Sequence, residues 1–188
     1  MRLKPRSFVV DACIARSSGH NEKPVSTNCR VLLEVLLDSH NIVCFNKELS
    51  MEWNTHQSSF ARKWRTSMVA RRKIKFIDNC ENIQLRELLI NYVTSEKNRL
   101  AAMKDIHLVE IALISDKVVL SNDDTVRTIF WDSMKNVSML KEIIWFNPVD
   151  QFSFVIEWIK DGAKISKELF FMNQGIDFIN EAATGKSN

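Results

Sequence analysis

Glycine is scarce in this chain, with four in 188 residues. A loop that cradles phosphate needs clustered glycines where the backbone must approach the ligand closely. Walker and Rossmann nucleotide sites are therefore excluded. The four cysteines, Cys13, Cys29, Cys44 and Cys80, are scattered, with no CxxC pair and no histidine at zinc spacing. They are expected to be reduced, structural thiols, and Cys13 and Cys44 fall in or beside apolar runs that suit a small hydrophobe. No apolar run reaches the roughly 18 residues of a membrane span. Nor does a signal peptide open the chain, because the run behind the basic MRLKPRSF is FVV, broken at once by Asp11. A cytoplasmic protein without membrane attachment is the expectation. Internal repeats, low-complexity segments and any motif-backed Ser-His-Asp or Cys-His arrangement are also missing.

The rest is an ordinary globular composition, 45% hydrophobic and 26% charged. The length suits one domain, or one domain with an appendage, and is enough to bury a core without disulfides or structural metal. Strand-like and helical runs alternate. SFVVDACIA, 7–15, reads as a buried parallel strand and 17–24 as a loop, followed by a helix capped by Ser26 or Thr27 and running to about Ser39. IVCF, 42–45, is a second strand. The chain then reads as helical to about Arg72, with Leu49, Trp53, Phe60 and Trp64 as its apolar stripe. KIKFID, 73–78, reads as a short strand, 81–99 as one helix, and about 102–115 as another. Strands at 116–121 and 142–148 flank a helix from Thr125, and one or two further helices fill 151–173. This order predicts an α/β protein, a three-layer α/β/α sandwich on a mostly parallel sheet. Residues 1–148 would form the domain and 149–188 a helical extension packed on it, with a polar tail from Gly175 expected to fray.

Four acids carry the chemical signal. Asp11 and Asp123 close strand-like runs, whereas Glu52 and Asp105 sit in helical stretches, Asp105 in the first turn of its own. Carboxylates at strand ends converge where a parallel sheet opens, and clusters there hold hard cations such as Mg²⁺ or Mn²⁺. Such a cation relieves the repulsion among crowded acids. It also polarises a phosphoryl oxygen and acidifies a bound water for in-line attack. Each acid taken singly reads as a turn or solvent-facing residue, but Asp11 interrupts an apolar run that burial alone would leave unbroken.

Positive charge is concentrated at 61–75, where Arg62, Lys63, Arg65, Arg71, Arg72, Lys73 and Lys75 occur with no acid among them. Interleaved with Trp64, they suit a phosphate backbone or, equally, a solvated helix face. Arg127 could contact a phosphate or pair with Asp124. His56, one helical turn after Glu52, can approach the acids, while His107 is expected to point away from Asp105. Ser17, Ser18 and Ser26 could support a metal-bound water or phosphate. Trp53 and Trp64 could stack a base, although helical spacing favours the core.

These residues resemble the PIN-domain nuclease family, shared by VapC-type toxins and eukaryotic RNA-processing nucleases. The resemblance covers about residues 7–148, through FVVDA at Asp11, MEW at Glu52, KDIHLVEIAL at Asp105 and the VVLSNDD turn at Asp123. It implies a divalent-metal-dependent endoribonuclease with Asp11, Glu52, Asp105 and Asp123 as catalytic, Mg²⁺- or Mn²⁺-binding residues. Asp124 stands as a rival to Asp123, and Glu48 as a rival to Glu52. It also implies that Arg62, Lys63, Arg65, Arg71, Arg72, Lys73 and Arg127 meet the RNA. An antitoxin protein and a second copy of the chain are the partners it suggests. Cys13 departs from the pattern, standing where many members carry a small polar residue. The alternative is a catalytically silent PIN-like module that binds nucleic acid or protein.

Overall fold

In the computed structural model, residues 4–20, 22–166 and 169–170 are described. The core is a five-stranded, all-parallel sheet in the order β3-β2-β1-β4-β5. Its strands are β1 (Ser7–Val10), β2 (Ile42–Phe45), β3 (Ile74–Phe76), β4 (Val118–Leu120) and β5 (Ile144–Phe146). The sheet is covered by α1 (Ala12–Ser17), α2 (Pro24–Asp38), α3 (Lys47–His56), α4 (Ser59–Ala70), α5 (Ile83–Tyr92), α6 (Glu96–Leu113), α7 (Asp124–Ser133) and α8 (Phe152–Lys160). The expected α/β/α layering is what forms. β4 and β5 are wholly buried, and so are all but the first residues of β1 and β2. A parallel sheet with helices on both faces accounts for such unbroken apolar runs.

Chain direction through the sheet reverses beside β1. The chain builds outward through β2 to the edge strand β3, then returns to place β4 on the other side of β1. Val10 pairs with Leu120, and Asp11 N donates to Leu120 O at 3.0 Å. The residues that follow β1 and β4 therefore leave the same edge side by side.

Several boundaries differ from the sequence reading. β1 stops at Val10 rather than continuing to residue 15, because Asp11 accepts from Cys13 N and caps α1. The buried Ala12, Ile14 and Ala15 reach the core from a helix instead of a strand. α2 begins at Pro24, whose missing N–H costs nothing at a helix start. The single helical run expected over 47–72 breaks where Ser58 caps α4 by accepting from Ala61 N. The expected helix over 81–99 likewise ends at Tyr92, and Ser95 caps a new one. Asp105 consequently lies mid-way along α6, not in a first turn.

α8 covers β1 and β5, with Trp158 edge-on to Phe8 and Phe146 at ring separations of 5.8 and 5.2 Å. The described part of the 149–188 extension thus shares the core of the preceding residues. The expectations for 171–173 and for the polar tail fall outside the described residues. No helix among those residues is long and apolar enough to cross a membrane. All four cysteines are free thiols.

Candidate active site

Asp11 and Asp123 emerge from adjacent strands at the point where the sheet's winding reverses, the crevice where open α/β sheets place their ligands. Both are helix N-caps. Asp11 Oδ1 accepts from Cys13 N at 3.1 Å at the start of α1, and Asp123 Oδ1 accepts from Val126 N at 3.1 Å at the start of α7. Each carboxylate therefore sits against the positive end of a helix, which favours its charge. Asp11 is held further by Ser121, whose Oγ donates to Oδ2 at 2.6 Å, and by the Cys13 thiol at 3.0 Å. Burial, and then the Asp11 charge, push the Cys13 thiol well above its ordinary pKa.

Glu52 arrives from α3. The neighbouring Trp53 is fully buried, stacks on Trp64 at 5.5 Å, and donates from its indole to Val10 O at 2.9 Å. This bond pins α3 to the last residue of β1 and brings Glu52 beside Asp11. Both tryptophans are core residues, so base stacking is not their role here. Asp105 completes the group from α6, which packs on β1, β4 and α3. All four acids, Asp11, Glu52, Asp105 and Asp123, line one cleft, together with Cys13, Arg16, His56 and Lys104. Glu48, in the first turn of α3, does not line it. Asp124 turns aside to pair with Arg127 at 2.9 Å and to accept from Asn147 Nδ2 at 2.9 Å.

The electrostatics match the crowding. Burial raises the Asp105 carboxyl to about 6, the charges of Asp11 and Glu52 add to the effect, and Lys104, 3.8 Å away, opposes it. Glu52 shows the reverse balance. Burial would raise its pKa, but His107, with Lys104 and His56, brings it below the usual carboxylate range. His107, unlike Asp105, does not line the cleft. It is buried in the α3–α6 contact, with Nε2 3.4 Å from Glu52 Oε2. Burial disfavours its charge, yet Glu52 outweighs that and raises its pKa.

No protein-family model, curated protein or solved structure matches this chain at a significant level. The site's own chemistry must therefore carry the argument. Its donors are hard carboxylate oxygens, and one of them is destabilised as an anion, a set that suits Mg²⁺ or Mn²⁺. Among the described residues, no group of three or more His, Cys, Asp or Glu side chains is arranged to hold an ion as it stands. Binding would need the carboxylates to draw together by side-chain rotation.

The basic stretch divides by position. Arg62, Lys63, Arg72 and Lys75 are exposed. Lys73 is not available to a phosphate, because it is buried and its Nζ donates to the carbonyls of Leu36, Leu37 and Ser39 at the end of α2. Arg65 ties α4 to α3 through Ser50 and Asn54 and lies over the Phe45 ring at 4.8 Å. Arg71 pairs with Asp38 and bonds Leu37 O. Of the serines considered earlier, Ser17 accepts from Asn122 Nδ2 and Ser18 bonds Ala15 O. Ser26 lies in the first turn of α2. Sequence reasoning overlooked Arg16, Lys104 and Ser121. Ser121 did leave a signal, since it follows an apolar strand two residues before an acid.

Proposed function

We propose that this chain is a divalent-metal-dependent endoribonuclease of PIN type. One observation carries the reading: four carboxylates from four separate elements line a single cleft at the sheet's winding reversal. Asp11, Glu52, Asp105 and Asp123 would hold Mg²⁺ or Mn²⁺. When bound, the ion supplies positive charge to a phosphoryl oxygen and acidifies water. Ser121 and the two helix N-termini hold Asp11 and Asp123 in place through hydrogen bonds. Arg16 and Lys104, cations in an otherwise acidic cleft, would hold the phosphates flanking the scissile one. Arg62, Lys63 and Arg72 would extend that track over the surface.

The test is cleavage of a mixed single-stranded RNA pool in Mn²⁺, with the new ends sequenced. Wild type should cut, EDTA should stop it, and Asp11→Asn should lower the rate at least about a hundredfold. Equal degradation by wild type and Asp11→Asn would defeat the proposal.

A second reading, a silent PIN-like module that binds without cutting, has its own support. Both Asp11 oxygens already accept internal hydrogen bonds, and no ion-ready group of three is formed among the described residues. Metal-independent RNA retention with no new ends would favour it.

A further inference from the structure

His107 is deeply buried beside the cleft, at 1% exposure. Its Nδ1 bonds Lys104 O at 3.1 Å, one turn earlier on α6, which fixes the plane of the ring. The other nitrogen, Nε2, is buried and has no aligned hydrogen-bond partner. A buried polar nitrogen left unpaired costs stability, so native folds rarely keep one without a reason. The nearest charged group in front of it is Glu52 Oε2, at 3.4 Å. Asp11 and Asp123 are oriented by the hydrogen bonds they accept as N-caps, whereas Glu52 has the His107 ring, and Asp105 the Lys104 ammonium, as its near charged neighbour.

We propose that His107 is the positioning residue for Glu52, turning one carboxylate oxygen toward Nε2 and leaving the other for a divalent cation in the cleft. This inference rests on the metal-site reading given above. Carboxylate ligands are commonly oriented by an outer hydrogen-bond partner, and losing that partner typically weakens metal affinity about 10- to 100-fold. The helix geometry suits the role. Asp105 and His107 stand two residues apart on α6, so one helix offers a ligand to the cleft and a brace to the ligand on α3.

Mn²⁺ binding, measured by calorimetry on the full chain, tests this with His107→Leu and His107→Phe. The second variant fills the ring's volume without its nitrogens. Both should bind Mn²⁺ at least about tenfold more weakly than wild type while keeping a native circular dichroism spectrum. His107→Gln, whose amide can still donate to Glu52, should stay within about threefold of wild type. In a Glu52→Gln background, removing the histidine should cause no further loss, because the two act as one unit. Wild-type affinity in both folded variants would overturn the inference, as would an undiminished loss in the Glu52→Gln background. If wild type itself fails to bind Mn²⁺, the metal-site reading falls, and this one with it. Binding by wild type with no change in the His107 variants sinks this inference alone.

Discussion

Asp105 is the acid of the cleft whose carboxyl burial shifts upward. Its side chain is 14% exposed and its carboxyl is raised to about 6, chiefly by burial. A carboxyl whose pKa is raised on folding favours the proton-bound native state. Its contribution is therefore fully present below the unfolded value of about 4 and is lost as pH climbs through about 6. About two units correspond to about 3 kcal/mol at most. In EDTA, wild type should lose stability between about pH 4 and pH 7. Asp105→Asn should remove much of that loss and be the more stable protein at pH 7, though unable to serve as a metal ligand. Urea melts across this range would refute the account if the two proteins stayed parallel. Arg72 offers a second test. It occupies the left-handed region with φ 56°, closing α4 through bonds from Arg72 N to Val69 O and from Lys73 N to Met68 O. That place usually belongs to glycine, and the chain is poor in glycine. Arg72→Gly should raise stability by about 1 kcal/mol while weakening RNA binding, a combination readable by thermal melts and filter binding.

Among the elements, α6 connects the core to the cleft. It carries Asp105 and His107 toward α3, and through Glu110 it fastens α5. The Glu110 carboxylate is fully buried, accepts from Arg86 Nε at 2.7 Å and Nη2 at 2.8 Å, and accepts also from Asn82 N at 2.8 Å. Removing one partner of such a pair leaves a charge stranded away from water. Arg86→Met is accordingly expected to cost about 3–5 kcal/mol, read as a lowered urea midpoint, and to loosen the helix that holds Asp105. Loss of less than about 1 kcal/mol would mean that the pair is screened and α6 is held by apolar packing alone. Lys73 plays a comparable part for α2, whose last carbonyls it collects, and this explains why a lysine in a basic run is turned inward.

For the whole molecule, the winding reversal between β1 and β4 sets where the four acids meet. A cation held by acids from β1, α3, α6 and α7 would bridge elements far apart in the chain, so binding should stabilise the entire fold. At Mn²⁺ about a hundredfold above its dissociation constant, the gain should be about 2.7 kcal/mol. For a chain of this size that is a rise in melting temperature of about 5–10 °C. Asp11→Asn should abolish the rise. An equal shift in wild type and variant would place the bound ions elsewhere on the surface.

Local chemistry determined much of this protein. An apolar β-branched run ending in an acid marks β1 and Asp11, and the VVLSNDD run marks β4 and Asp123, because strand and cap signals lie within a few neighbouring residues. The alternation of such runs with helical stretches was enough for a parallel α/β/α fold. Tertiary structure decided the rest. Local sequence separates Glu52 from Glu48 only by the Trp53 beside it, and does not separate Asp123 from Asp124. The choice follows from the Trp53 bond to Val10 and from Asn147 and Arg127 drawing Asp124 away. The breaks before α4 and α6 depend on single capping serines in otherwise continuous helical runs. Lys73 and His107 could be placed only once their distant partners were known, since hydrogen bonds to Leu36 and the approach to Glu52 join residues far apart in sequence. A residue's neighbours along the chain set its conformation, but its charge and partners are set by what the packed helices bring against it.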